Sequence, residues 1–376
     1  MKNKYIFYVF VLLLSLPVIT FPFIKGHIDS KNHEKRKFAE RPSLSLATLP
    51  DFPEQFDNYF SDHLPYKNQL VMVNGIKNEL LGSGATAIEY LTNTKAIRGK
   101  ENWLFYNAVS EDEESMRDFL CNNLYEENEL SEISKRYVLL EQKLKEMGIE
   151  LVVLYAANKE QVYPEYMPST IVPMGSYSRT DQLVDYLHEH TDVPLIYTKE
   201  ALQKEKENHQ VFYKYDTHWN NLGGFVGCQL LNEYFHGEYV SLDEVSYSAV
   251  KDDESGDLAD LLSMRKILND DIVWEINSYK TDVKEETVRN DDNAFEFVSN
   301  AEDKRKVLVV QDSFGYALMG ITKDFAEVTF LKNTEVFKKY CEEWKPDILL
   351  VEIVERRKRP QEQICQGLYD LLVSGE

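Results

Sequence analysis

Three short, almost unbroken apolar runs constrain the fold of this 376-residue chain more than any other feature: residues 151–156 (LVVLYA), 306–310 (KVLVV) and 347–353 (DILLVEI). A strand covered on one face alternates apolar and polar residues. One that is apolar throughout is covered on both faces, as in a parallel sheet between two layers of helix. The intervening sequence supplies the helices. Residues 129–147 carry Ile133, Tyr137, Leu140 and Leu144 at helical spacing and stop at Gly148. Residues 178–190 and 224–235 are also helical, and 361–373 form a closing helix. Shorter strands are predicted at 103–106, 194–197 and 211–215, and a helix after Ser313. The fold class is α/β, a parallel sheet with helices on both faces.

The N-terminus reads differently. Residues 5–24 contain no charge, and as a helix they would span about 30 Å, the thickness of a hydrocarbon core. Lys2 and Lys4 precede this run, so a cleaved secretion signal is the main competitor. The apolar stretch is too long for one, and the bulky Phe21-Pro22-Phe23 replaces a small-residue cleavage site. Residues 1–24 are therefore read as an uncleaved signal anchor, a single-pass transmembrane helix. Lysines and arginines from Lys25 to Arg41 outnumber those before the span, so charge alone leaves its orientation open. Residues 25–50 form a charged stalk, and 51–376 one domain with an acidic, irregular insertion at about 240–298 holding some β-structure near 272–279. Amphipathic segments are expected near 52–60 and 66–81.

Charge excludes one class of partner. With 64 acidic against 42 basic residues the net charge is −22, which speaks against nucleic acid. Cys121, Cys228, Cys341 and Cys365 are scattered without a CxxC pair, and HExxH, P-loop, GxGxxG and EF-hand patterns are missing, so no metal or cofactor is expected. A GxSxG elbow is missing too, which argues against an ordinary α/β-hydrolase.

In an open α/β sheet the chemistry gathers at the carboxyl ends of the strands, and three polar clusters stand there. Gln311-Asp312-Ser313-Phe314-Gly315 follows KVLVV. A Ser at a strand-to-helix turn is exposed to substrate, beside free backbone N–H groups. The plainer alternative is that Ser313 or Asp312 merely caps the helix. Asp216-Thr217-His218-Trp219-Asn220 follows the expected strand at 211–215. Two residues apart in extended chain, Asp216 and His218 point to one side, so the carboxylate can orient the imidazole as a base. Alternatively, Asp216 caps the next helix. Asn158-Lys159 follows LVVLYAA: Asn158 is a candidate oxyanion donor, and Lys159 either neutralises an anion or is simply solvated.

With these residues in view, the chain resembles the SGNH-hydrolase-like O-acetyltransferases of bacterial polysaccharide modification, the alginate O-acetyltransferase AlgX/AlgJ group and the DHHW family of Gram-positive bacteria. The resemblance rests on Glu34-Lys35-Arg36-Lys37-Phe38-Ala39, FDNYFSDHLP at 56–65 and RGKENWLFY at 98–106. It continues through Asn158-Lys159 to Tyr163-Pro164, Asp216-Thr217-His218-Trp219-Asn220, Ser255-Gly256-Asp257-Leu258, Asp312-Ser313-Phe314 and Val354-Glu355-Arg356. It implies a flavodoxin-like sheet in which the Asp/His block precedes the Ser block, a permuted order. It implies Ser313 as nucleophile, His218 as base and Asp216 as its orienter, with Asn158, Lys159 and Trp219 as oxyanion and substrate contacts. Gln311 stands where such motifs usually carry Gly. DTHW also lacks the second-position His that gives the Gram-positive group its name.

The expected function is an extracytoplasmic O-acetyltransferase, held at the cell membrane, that modifies a polysaccharide. A membrane-bound O-acyltransferase would deliver the acyl group. The rival expectations are a non-catalytic scaffold binding glycan or partner, and a carbohydrate acetylesterase.

Overall fold

The computed structural model describes residues 39–43, 51–63, 95–108, 112–250 and 256–374. The expected membrane anchor, most of the stalk and the segment at 66–81 lie outside the described residues. The chain divides into two compact units, Met1–Arg98 with Ser255–Asp270, and Gly99–Glu254 with Asp271–Glu376. In the first, helix Phe52–Asp62 stacks Phe52 on Phe56 and Phe56 on Phe60, with ring centroids 5.8 and 6.4 Å apart. That spacing of four residues is one helix face. The Asp62 carboxylate accepts the backbone N–H of Ala39 at 2.8 Å.

The second unit is built on a seven-stranded sheet. Its strands in chain order are β1 (Glu150–Ala156), β2 (Leu195–Tyr197), β3 (Glu285–Asn290), β4 (Ala294–Ser299), β5 (Asp303–Val310), β6 (Phe325–Leu331) and β7 (Ile348–Val354). Across the sheet they run β2-β1-β7-β5-β6-β4-β3. The first five are mutually parallel, with Leu349 opposite Leu151 and Leu350 opposite Val309. Every residue of β7 is buried, as an apolar run in a central strand requires.

The all-parallel expectation needs correction, because the sheet is mixed. β4 pairs antiparallel with β6, and β3 with β4. For β3 and β4 the reason is local: the Asp291 carboxylate accepts the N–H groups of Asn293 and Ala294 at 2.8 and 3.2 Å, closing a tight turn between them. A connection that short permits only an antiparallel return. Part of the acidic stretch at 240–298 thus extends the main sheet, and another part forms a two-stranded ribbon, Tyr247–Val250 with Val273–Ile276.

Helices cover both faces. α1 (Glu127–Glu146), α2 (Arg179–His190) and α4 (Lys358–Val373) pack Leu140, Leu187 and Leu368 against Val153, Val351 and Ile353. α3 (Asn221–His236) and the 3₁₀ helix Ser313–Lys323 lie together in the other layer. Sequence signals set the boundaries. The hydroxyl of Ser178 and the carboxylate of Asp181 form a capping box at the start of α2. Gly148 follows α1 at φ 76°, a conformation that suits glycine.

Candidate active site

β5 ends at Val310, and the chain turns through Gln311 and Asp312 into the 3₁₀ helix that begins at Ser313. The choice of cap decides what Ser313 is free to do. Asp312 takes that role: its Oδ1 accepts the N–H of Phe314 at 2.9 Å, and its Oδ2 accepts the N–H of Val354 at 2.9 Å. Its own N–H donates to Glu352 Oε2 at 3.1 Å, so this residue fastens the end of β5 to the end of β7. Ser313 is left exposed, its hydroxyl not needed as a cap. Gln311 does not crowd this turn, because its side chain lies over Gly315. A Cβ on Gly315 would meet Gln311 Cβ at 2.5 Å, so glycine makes room for the larger residue.

Residues 211–215, expected as a strand, instead belong to a loop, 211–220, with a bridge from Phe212 to Trp219. Asn220 caps α3, its Oδ1 accepting the N–H groups of Leu222 and Gly223 at 3.0 and 3.1 Å. Asp216 is therefore not the cap of that helix. Its Oδ1 instead accepts from His218 twice, from the backbone N–H at 2.8 Å and from Nδ1 at 2.5 Å. On the other side of the ring, His218 Nε2 is 2.7 Å from Ser313 Oγ. An ionised carboxylate only accepts, so the Nδ1 facing it carries the proton and Nε2 is the acceptor for the Ser313 O–H.

Close packing joins the two halves. A Cβ on Gly224 of α3 would meet the Cβ and the carbonyl oxygen of Ala317 at 2.4 Å. Only a glycine lets α3 approach the 3₁₀ helix this closely. Trp219 Nε1 donates to the Phe314 carbonyl at 2.9 Å, and the Phe314 ring centroid is 4.9 Å from that of His218.

Two expected substrate contacts therefore have other roles. Trp219 is 2% exposed and braces the nucleophile turn from within rather than facing a ligand. Lys159 is equally buried rather than solvated, and its ammonium donates to the carbonyls of Tyr213, Lys214 and Asp216. Asn158 keeps a donor to offer. Its backbone N–H goes to Glu355 Oε1 at 2.8 Å and its Oδ1 accepts from Arg356 at 3.1 Å, while its Nδ2 is buried without a partner among the described residues. Arg356 also lies over the Phe314 ring, 5.1 Å from its centroid.

Buried carboxyls stand behind the rim. Burial pushes Glu352 well above the usual carboxylate range, and the neighbouring Asp312 adds to the effect. Burial raises Glu355 to about 7, although hydrogen bonds from Tyr197 and from the N–H of Asn158 oppose it. Glu352, Asp312 as a fastener and Arg356 as the holder of Asn158 were not singled out from sequence. The signal for Glu352 was an ionisable residue inside the apolar run 348–353, which burial obliges to have a purpose.

Residues 96–316 match the family model described as SGNH hydrolase-like domain, acetyltransferase AlgX. Among solved structures, a DHHW family protein from Eubacterium siraeum is 12% identical, with a TM-score of 0.51 covering 74% of this chain and 99% of that one. PatB1 of Bacillus cereus is 16% identical over 72% of this chain and 98% of its own, TM-score 0.49. The O-acetyltransferase domain of Pseudomonas putida AlgJ is 16% identical over 75% and 94%, TM-score 0.45. No curated protein sequence matches. At these identities the Eubacterium protein shows a shared fold and nothing finer. The family match is stronger ground, because it covers well over half of the chain and takes in Asn158, Asp216, His218 and Ser313. The chain belongs to the family of SGNH hydrolase-like acetyltransferase domains that the AlgX model describes.

Proposed function

We propose that this protein is an extracytoplasmic O-acetyltransferase that moves an acetyl group onto a polysaccharide hydroxyl through Ser313, His218 and Asp216. The observation that carries the reading is the unbroken hydrogen-bond chain from the Asp216 carboxylate through His218 to the exposed Ser313 hydroxyl, inside a fold of this family.

Ser313 Oγ attacks the acetyl carbonyl of a donor ester or thioester while His218 Nε2 takes its proton. The tetrahedral oxyanion is held by the Ser313 backbone N–H, which at a helix start lacks an intrahelical acceptor, and by Asn158 Nδ2. The intermediate collapses, the donor's leaving group departs with the proton from His218, and acetyl-Ser313 remains. A glycan hydroxyl then gives its proton to His218 and attacks the acetyl carbon; Ser313 leaves and takes that proton back. Asp216 stabilises the imidazolium in both halves. In this reading residues 1–24 anchor the enzyme in the membrane, and a membrane-bound O-acyltransferase supplies the acetyl group from across it.

Purified protein is incubated with para-nitrophenyl acetate, with and without an oligosaccharide acceptor. Acceptor-dependent formation of acetylated sugar, lost in Ser313→Ala, supports the transferase. Acetate release indifferent to acceptor means an esterase, and acetylation that persists in Ser313→Ala refutes the nucleophile. A non-catalytic scaffold would leave Ser313 unreactive toward a sulfonyl fluoride.

A further inference from the structure

The loop carrying Asp216 and His218 has a short ladder of its own: the bridge from Phe212 to Trp219, a 3.1 Å bond from the Asn220 N–H to the Val211 carbonyl and a 3.4 Å bond from the Tyr213 N–H to the His218 carbonyl. The Leu104 N–H also donates to the Lys214 carbonyl at 2.9 Å. Two charged side chains from elsewhere grip the stretch between. Lys159, in the first turn after β1, aims its three ammonium donors at three acceptors within four residues: the carbonyls of Tyr213 at 3.0 Å, Lys214 at 3.1 Å and Asp216 at 2.6 Å. The rings of Trp103 and Phe105 wall it in, with centroids 5.7 and 5.5 Å from Nζ. Asp271 holds the same stretch by its other edge. Its two carboxylate oxygens accept the N–H groups of Lys214 and Tyr215 at 2.7 and 2.8 Å.

Burying an ammonium is costly, and an apolar side chain of similar length would fill the same space without that cost. What the ammonium adds is direction. It fixes three peptide planes, the last of them that of Asp216. We infer that Lys159, together with Asp271, is a positioning residue for acetyl transfer: the pair sets the peptide from Tyr213 to Asp216 so that one carboxylate oxygen reaches both the backbone N–H and Nδ1 of His218. The inference rests on the reading of His218 as the base. A small rotation of the Asp216 peptide would swing Oδ1 off Nδ1 while leaving the sheet untouched. The imidazole would then be free to turn or to take the wrong tautomer, and the rate, not the affinity, would suffer.

The test is a double-mutant cycle on the full 376-residue chain, read as acetate release from para-nitrophenyl acetate, with folding checked by circular dichroism. Lys159→Met keeps the stem and removes the charge. It is expected to lower kcat by about ten- to a hundredfold with KM held within about twofold. In an Asp216→Asn background the same change should cost less than about threefold, because the carboxylate whose position it governs is already gone. Asp271→Asn is isosteric, should behave the same way, and carries the cycle if Lys159→Met does not fold. Equal losses in both backgrounds, or a loss carried by KM, overturn the inference. Ser313→Ala separates the two claims. Release that survives it refutes the underlying reading. Release that needs Ser313 but is indifferent to Lys159 and Asp271 refutes the positioning pair alone.

Discussion

His218 Nε2 lies 2.7 Å from the Ser313 hydroxyl oxygen, although 95 positions of chain separate the two residues. The contact is made by packing. Gly224 of α3 lets that helix press against Ala317 of the 3₁₀ helix, and the Trp219 indole N–H ties the loop of His218 to the carbonyl of Phe314, the residue after the nucleophile.

Asp216→Asn preserves the shape of the side chain and removes the charge that fixes the imidazole tautomer. The expected result is a loss of kcat on the order of 10³–10⁴ with substrate binding retained. Steady-state acetyl-ester kinetics check this; a loss below about tenfold contradicts the assignment of the orienting carboxylate.

Asn158→Ala removes the buried Nδ2, which has no partner among the described residues. If that amide holds the oxyanion, kcat falls by about 10²–10³ and KM stays put. An unchanged kcat, with only a lower melting temperature, reduces Asn158 to a support for Arg356.

Gly224→Ala puts a methyl 2.4 Å from the backbone carbonyl oxygen of Ala317, an atom that no rotamer change can move away. Overpacking of this kind costs about 1–3 kcal/mol. Urea unfolding should show that loss, and acetyl transfer should fall with it, because the strain falls between the base and the nucleophile. Wild-type stability and rate would mean that the packing of α3 does not set the site.

Burial raises the Glu160 carboxyl to about 8. The sign follows from linkage. Above the usual carboxylate pKa the unfolded chain releases this proton while the fold keeps it, so stability falls as pH rises from about 4.5 toward 8. Asp118 and Glu355, both raised to about 7 mainly by burial, act in the same direction. Glu160→Gln removes one of these terms. Between about pH 5 and 8 it should lose less stability than the wild type, by on the order of 1 kcal/mol or more. Parallel urea midpoints for the two proteins across that window would show that Glu160 does not titrate there.

The core of the sheet was legible because burial on both faces writes itself into the sequence. LVVLYA, KVLVV and DILLVEI lie in β1, β5 and β7, at neighbouring positions. β6 was harder to see, because Glu327 and Thr329 interrupt its apolar run; Glu327 remains half exposed and meets Lys306 at 3.4 Å. β3, with the sequence EETVRN, is mostly exposed and carries almost no apolar signal, so its pairing with β4 shows only in three dimensions. Residues 211–215 look like a strand, but the carbonyls of Tyr213 and Lys214 accept from Lys159, and the N–H groups of Lys214 and Tyr215 donate to Asp271. Of the sheet-like bonds, the Lys214 carbonyl accepts the N–H of Leu104 at 2.9 Å. At the site, Asp216, His218 and Ser313 could be picked out because each stands in a short motif next to a predicted strand. The direction of a long side chain is another matter. Lys159 turns inward to acceptors 54 to 57 positions away, and Trp219 reaches a carbonyl 95 positions on, relationships that no local pattern encodes.

The most direct test is to trap the acyl-enzyme. Protein mixed with an acetyl ester in the absence of glycan is quenched in acid, digested and analysed by peptide mass spectrometry. The account predicts one acetyl group on the peptide containing Ser313, absent in Ser313→Ala, slow to form in His218→Ala, and discharged when an acceptor oligosaccharide is added. Acetyl transfer to glycan with no acetyl ever found on Ser313, and at an undiminished rate in Ser313→Ala, would contradict it.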